Sequence, residues 1–351
     1  MKKIAVIFGG MSTEHDVSIV SGTSIIKNLN KEKYEIFPIY IDEYGIWYKY
    51  TKNINEIVIP KVGDKVYDIE KIDNPIEYLK QVDCIFPVLH GLYGEDGTIQ
   101  GIFELIKVPY VGCRVLASSV SMDKVYTKII FKKAGLEQSK YVYIKKYKEN
   151  YIYIDEEFNE NIYSLNEIAK MVEEKQNYPM FVKPSNSGSS VGISKVNDID
   201  ELKKAIEFAA EYDEKILVEE GIKGREVECA VLGNEEVIAG AVGEVVSAEN
   251  FYSFDSKYNN SESKTVIPAN LSKDIYEDVR EFAIKAFKAV DGKGLSRVDF
   301  FVEEGTNKII INEINTLPGF TQISMYPKLF EAVGISYEKL LDKLIDLALE
   351  K

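Results

Sequence analysis

Short apolar runs alternate with stretches of helical period through the first 110 residues, and this alternation leaves few architectures open to the chain. Residues 4–8 are an uninterrupted apolar run, 17–29 carry an amphipathic helical pattern, 35–41 are apolar again, and 83–89 repeat the strand signature. Strands separated by helices imply a parallel sheet flanked by helices. Loops leaving the carboxyl ends of such strands are where ligands usually bind. Two of them are unusual here: Gly9-Gly10-Met11-Ser12-Thr13-Glu14-His15 and His90-Gly91-Leu92-Tyr93-Gly94-Glu95-Asp96-Gly97. They contain the chain's two histidines, His15 and His90, and that coincidence shifts both toward function.

With 351 residues the chain exceeds one small domain, and its 45% hydrophobic and 28% charged content is that of a globular protein. No stretch approaches the ~20 apolar residues of a membrane span. The opening run is too short for a signal peptide and lacks a cleavage site, so it reads as a buried first strand. Cys84, Cys113 and Cys229 are scattered and odd in number, which points to a reducing cytoplasm rather than to disulfides or zinc. A formal charge of -14 argues against a nucleic-acid partner. Only four of the 43 basic residues are arginines, so each invites a reason; an exposed helix charge suffices for Arg280.

Beyond residue 112 the character changes. Residues 118–134 read as one helix, and 143–177 are polar, aromatic and without clear period. From Pro179 onward a strand, a turn, a second strand, a helix at 199–212 and the strand 215–219 follow one another. The remainder offers a polar loop at 247–266, a helix at 272–290, a strand pair at 296–302 and 308–313, and a closing helix from Tyr337. Boundaries near 120 and 219 divide the chain into an N-terminal α/β unit (1–120), a central unit (121–219) and a C-terminal unit (220–351).

Three further patterns carry chemistry. Lys183-Pro184-Ser185-Asn186-Ser187-Gly188-Ser189-Ser190-Val191-Gly192 places a hydroxyl-rich turn beside a strand lysine. Its backbone amides can approach phosphate oxygens, although a flexible hairpin has the same composition. It is neither a Walker A sequence nor a GxGxxG fingerprint. Val218-Glu219-Glu220-Gly221-Ile222 ends a strand and leads into Gly224-Arg225-Glu226, a linker able to hold a nucleoside or a plain solvated strand end. Arg297 and Asp299 share one strand face, as do Glu313 and Asn315. Oxygen ligands with an arginine suit Mg2+ and phosphate; cross-strand salt bridges are the simpler alternative.

Together these blocks, with Met122-Asp123-Lys124, the segment 251–258 and the segment 312–327, resemble the D-alanine:D-alanine ligase family of ATP-grasp enzymes from Lys3 to the C-terminal helix. The resemblance implies an α/β, three-domain ATP-grasp fold with an N-terminal parallel-sheet domain. It also implies a reaction in which ATP phosphorylates one D-alanine carboxylate and the amine of a second attacks the acyl phosphate, for peptidoglycan precursor synthesis. By motif, Lys124 and Lys183 would hold phosphates with Ser189 and Ser190, and Glu219, Glu220, Ile222 and Glu226 would line the nucleoside. Asp299, Glu313 and Asn315 would bind two Mg2+, with Mn2+ able to substitute. Glu14 and His90 would take the first substrate, Ser324 and the Met325 amide the second, and Arg297 with the Gly319 amide the oxyanion. The family's closing loop corresponds to 252–258, with Lys257 approaching the transferred phosphate and Tyr258 joining Ser189 and Glu14.

This loop has no histidine, which argues against a D-lactate product. D-serine differs by one hydroxyl and stays open as an alternative, resting on residues such as Met325 and Tyr326. Ser187 stands where some relatives carry an acid. A non-catalytic ATP-binding regulator is the alternative from another class, and the family implies a homodimer.

Overall fold

Six consecutive residues of the strand Lys2–Gly9, from Ile4 on, are buried, so this strand is covered on both faces as the centre of a parallel sheet should be. Ile4 pairs in parallel with Ile36 of the strand Tyr34–Ile41 on one side and with Cys84 of the strand Cys84–Pro87 on the other. The helix His15–Asn28 lies directly on the first strand. At the contact is Gly22, where an added Cβ would come within 2.4 Å of the Phe8 Cβ. The computed structural model describes residues 1–58, 60–189, 191–246 and 264–350.

The first sheet is mixed rather than parallel throughout. After Ile41 the chain doubles back, with Asp42 accepting from the amides of Tyr44 and Ile46 and Gly45 in the left-handed region. The strands Trp47–Tyr50 and Ile69–Lys71 then add antiparallel at one edge. A side-chain turn at Asp42 makes a hairpin at the edge of a sheet expected to be parallel.

The helix expected over 118–134 is two, Val115–Met122 and Lys124–Lys133. Asp123 between them is extended, and its carboxylate accepts from the amides of Val125 and Tyr126. Aspartate competes with helix propagation and favours a new N-terminus. Residues 143–177 extend a second, antiparallel sheet with the strands Tyr141–Tyr147, Asn150–Ile154 and Glu160–Tyr163. This sheet continues through Lys215–Glu220 to Met180–Pro184 and Ser194–Val196. The helices Leu165–Lys175 and Ile199–Ala209 contribute Ile168, Val172, Leu202 and Ile206 to the core beneath it.

The third sheet is antiparallel and centres on the strands Gly224–Gly233 and Gly294–Glu303, with Ile309–Asn315 at one edge and Val237–Val246 towards the other. The helix Lys273–Ala289 supplies Val279, Ala283 and Phe287 to its core. Arg280 of this helix does more than carry an exposed charge. It reaches the carbonyls of Ala239 and Gly240 and pairs with Glu277, tying helix to sheet. C-terminal helices Met325–Glu331 and Tyr337–Leu349 share one core with the first sheet, where Phe320 meets Phe86, Tyr326 and Tyr337 at 5.5–6.1 Å between ring centres. Among the described residues, no helix is long and apolar enough to cross a membrane. Cys84, Cys113 and Cys229 are all buried free thiols.

Candidate active site

The loops at the carboxyl ends of the first sheet meet the turn that leaves the strand Met180–Pro184. Glu14, at the start of the first helix, is buried and accepts a hydrogen bond from the Ser189 hydroxyl. Gly91 and Gly188 flank its carboxylate; an added Cβ would sit 2.7 Å and 3.0 Å from Oε2. His90 donates from Nδ1 to the Leu317 carbonyl at 2.9 Å, and its Nε2 meets Ser21 Oγ at 3.1 Å. This joins the first sheet's loop to the segment after Asn315. His15 is different. Both ring nitrogens are engaged, Nδ1 with the Gly10 carbonyl at 2.5 Å and Nε2 with the Tyr40 hydroxyl at 3.1 Å, so it braces the loop rather than facing a ligand.

A second group of charges lies on the central sheet. Lys183 and Glu219 stand on neighbouring antiparallel strands, with Lys183 Nζ 2.5 Å from Glu219 Oε2. Burial alone would lower the Lys183 pKa. The charge of Glu219, with Glu313 and Glu226 behind it, more than offsets that and raises it. Lys124 Nζ donates to the Ser187 carbonyl at 2.5 Å, and its amide donates to the Ser185 carbonyl. Glu220 turns away, since successive strand residues face opposite sides; it takes the Asn177 amide at 2.9 Å. Lys128 was missed by the sequence reading. It follows Lys124 by one helical turn, a spacing that could have flagged it.

The third group is set by register. Arg297 faces Asn315 and Asp299 faces Glu313 across one strand pair, while Glu228 faces Asp299 on the other side. The Arg297 guanidinium forks onto Asp299 at 2.7 and 2.6 Å and reaches Glu228 at 3.0 Å. These carboxylates outweigh its burial and hold it firmly charged. Glu228 was also missed, although it shares a strand face with Glu226. Two carboxylates and an amide oxygen beside one arginine fit a hard divalent cation completed by phosphate oxygens. Below them, the Ser324 hydroxyl lies near Gly319, 3.3 Å from where its Cβ would be, and Met325 opens the next helix. Tyr326 cannot tune a second subsite: it is wholly buried, with its hydroxyl on the Val231 carbonyl at 3.0 Å. Ile222 is half-buried in the linker between the second and third sheets, and Glu226 is the third residue of the strand beyond it. Ser190, Lys257 and Tyr258 lie outside the described residues.

Two family models match the chain, "D-ala D-ala ligase N-terminus" over residues 3–113 and "D-ala D-ala ligase C-terminus" over 130–346. The chain belongs to the D-alanine–D-alanine ligase family. It is 50% identical to a D-alanine–D-alanine ligase of Acetivibrio thermocellus over 100% of this chain and 96% of that one. It is 48% identical to one of Clostridium acetobutylicum over 99% and 98%. Among solved structures, it resembles the VanG D-Ala:D-Ser ligase of Enterococcus faecalis at 39% identity and a TM-score of 0.84, covering 99% of both chains. It also resembles the Bacillus anthracis D-alanine–D-alanine ligase complexed with ATP, at 30% identity and a TM-score of 0.74, covering 99% of this chain and 98% of that one.

Within this family member, His90 sits 3.8 Å from the buried carboxylate of Glu95. Burial pushes the Glu95 carboxyl up to about 7. Burial would lower His90, but its hydrogen bond and charge interaction with Glu95 raise it instead. The pair therefore holds a proton to higher pH in the fold than unfolded, through the burial of Glu95 and the His90–Glu95 contact. Stability of this kind is complete below the unfolded pKa and is lost as pH rises to and through the folded one, for Glu95 between about pH 4.5 and about 7. Glu95→Gln is expected to flatten the fall of Tm over that window. Differential scanning calorimetry at several pH values checks it, and an unchanged slope would rule out Glu95 as the source.

Proposed function

We propose that the residues gathered here carry out ATP-dependent ligation of two D-alanine molecules to D-alanyl-D-alanine, the activity of the family and a step of peptidoglycan precursor synthesis. In this reaction ATP phosphorylates the carboxylate of the first D-alanine, and the amine of the second displaces phosphate. The observation that carries the reading is the Ser189–Glu14 hydrogen bond, which brings the turn beyond Lys183 onto the first sheet's loop, together with the charge interaction of Lys183 with Glu313, the cross-strand partner of Asp299. Glu14 anchors the first substrate's ammonium group, with His90 beside it. Lys124 and Lys183 hold ATP phosphates with Ser189 and Ser190, and Glu219, Ile222 and Glu226 line the nucleoside, from which the outward-turned Glu220 is withdrawn.

Asp299, Glu313 and Asn315 hold two Mg2+ ions, for which Mn2+ can substitute; the metal supplies neutralisation of phosphate charge. Arg297 and the Gly319 amide stabilise the oxyanion, while Ser324 and the Met325 amide receive the second carboxylate. Lys257, approaching the transferred phosphate, and Tyr258, joining Ser189 and Glu14, are assigned by the resemblance alone, since both lie outside the described residues. The three units 1–120, 121–219 and 220–351, a cytoplasmic location and a homodimer complete the proposal.

One observation favours a second reading. The likeness to a D-Ala:D-Ser ligase at a TM-score of 0.84 keeps D-serine as a candidate second substrate. ADP release with MgATP and D-alanine, alone and with D-serine, decides between them when the product is identified by mass. D-alanyl-D-alanine as the main product supports the first reading. A predominant mixed product moves the assignment to D-serine, and ATP binding without turnover leaves a regulator.

A further inference from the structure

Glu219 is a buried carboxylate with an ammonium group on each oxygen. Lys128 Nζ lies 2.6 Å from Oε1 and Lys183 Nζ lies 2.5 Å from Oε2. The two lysines are not equivalent. The Lys128 side chain is 3% exposed and the Lys183 side chain 15%, so Lys128 stands behind the carboxylate and Lys183 in front of it. Lys128 is also held on other sides: it meets the Ser139 hydroxyl at 3.3 Å and lies 5.3 Å from the centre of the Tyr141 ring. Ser139 in turn donates to the same Glu219 oxygen at 2.8 Å. Glu219 therefore has one counter-ion that is locked and one at the edge of the site.

We propose that Lys128 is a positioning residue for the ligation: as the standing counter-ion of Glu219, it frees Lys183 to leave that carboxylate for the phosphates of ATP. This rests on the reading in which Lys183 contacts phosphate and Glu219 lines the nucleoside. The charge balance explains the need. With both lysines the trio carries one net positive charge. When Lys183 turns to phosphate, Glu219 and Lys128 remain as a neutral buried pair. Without Lys128, the same movement would strand a desolvated carboxylate beside a triphosphate, and breaking a buried pair in that way is strongly unfavourable. Lys183 would stay on Glu219. The titration of the group agrees with this division. Burial would push the Glu219 carboxyl up, yet Lys128 first and Lys183 second hold it well below the usual carboxylate range.

The test uses the full chain and isothermal titration with MgATP and, separately, with adenosine, which has no phosphate for Lys183. Lys183→Met should weaken MgATP and leave adenosine nearly unchanged; equal weakening of both ligands, or weakening of neither, overturns the phosphate reading and the proposal with it. Given that result, Lys128→Met is expected to weaken MgATP by about 30-fold or more, the low end of the range for truncating one partner of a buried charge pair. Adenosine affinity should move much less, and Lys128→Arg should stay close to the unaltered protein. Equal losses for MgATP and adenosine would mean that Lys128 merely supports the fold, and would overturn the proposal. Should Lys128→Met fail to fold, the double variant Lys128→Met with Glu219→Gln carries the test. With no anion to strand, it should bind MgATP as well as Glu219→Gln alone. A further tenfold loss in the double variant would show that Lys128 acts independently of Glu219, and the proposal would fall.

Discussion

Arg297→Met is expected to lower kcat/KM for D-alanine by roughly 10²- to 10³-fold, the usual cost of removing a donor aimed at developing negative charge. The side chain is held for this role from two strands. Its guanidinium forks onto Asp299 at 2.7 and 2.6 Å, and Glu228 approaches Nε at 3.0 Å from the adjoining strand. Methionine preserves much of the aliphatic length but leaves both carboxylates without their shared cation. Lysine should restore little, because a single ammonium cannot reproduce the planar bidentate contact. Steady-state ADP release at saturating MgATP measures the effect. Retention of more than about a tenth of the activity in Arg297→Met would remove the oxyanion role, given the losses such donors ordinarily cause.

Asp123→Ala is expected to lower the unfolding free energy by about 3 to 5 kcal/mol, the range for stripping one partner from a buried ion pair. Asp123 is 6% exposed and does several things at once. It ion-pairs with Lys215, accepts from the Ser185 hydroxyl at 2.6 Å, and caps the helix that carries Lys124 and Lys128. Its removal thus leaves Lys215 unpaired and the helix start uncapped. The turn carrying Ser187 and Ser189 also loses its fastening to that helix, so KM for MgATP should rise as well. Burial would raise the Asp123 carboxyl, but Lys215 and Ser185 lower it below its ordinary value. Stability from a depressed carboxyl is present above its unfolded pKa and fades as pH falls through the folded one. The difference between the two proteins should therefore shrink below about pH 4. Urea denaturation at neutral and acid pH checks both statements; a loss under about 1 kcal/mol at neutral pH, the scale of an exposed pair, would show that the cluster contributes no more than a surface salt bridge.

Much of this architecture was legible before any coordinates. The strand at the chain start, the helix that follows it, the strand–turn–strand–helix–strand unit after Pro179 and the pairing of 296–302 with 308–313 are written in continuous apolar runs and in period-two and period-3.6 patterns, which depend on local geometry alone. The antiparallel edge of the first sheet was not, because a hairpin made by the Asp42 side chain leaves no signature in hydrophobic period. Neither was the break at Asp123, where helical period runs on across a residue whose side chain prefers to cap.

The candidate site divides along the same line. Glu14, Lys183, Arg297 and Asp299 stand in spaced motifs that name themselves. Lys128 and Glu228 lie outside those motifs and acquire meaning only through what they touch. His15 looked equivalent to His90 by position, yet Tyr40, from a neighbouring strand, closes its ring nitrogen. Tyr326 looked like a subsite residue but points into the core. The sequence by itself determined the residue types, their periodicity and the motif order, and with them the family. Tertiary structure decided which charges are buried together, because a carboxylate's partners and its degree of desolvation are set by chains distant in sequence and have no local code.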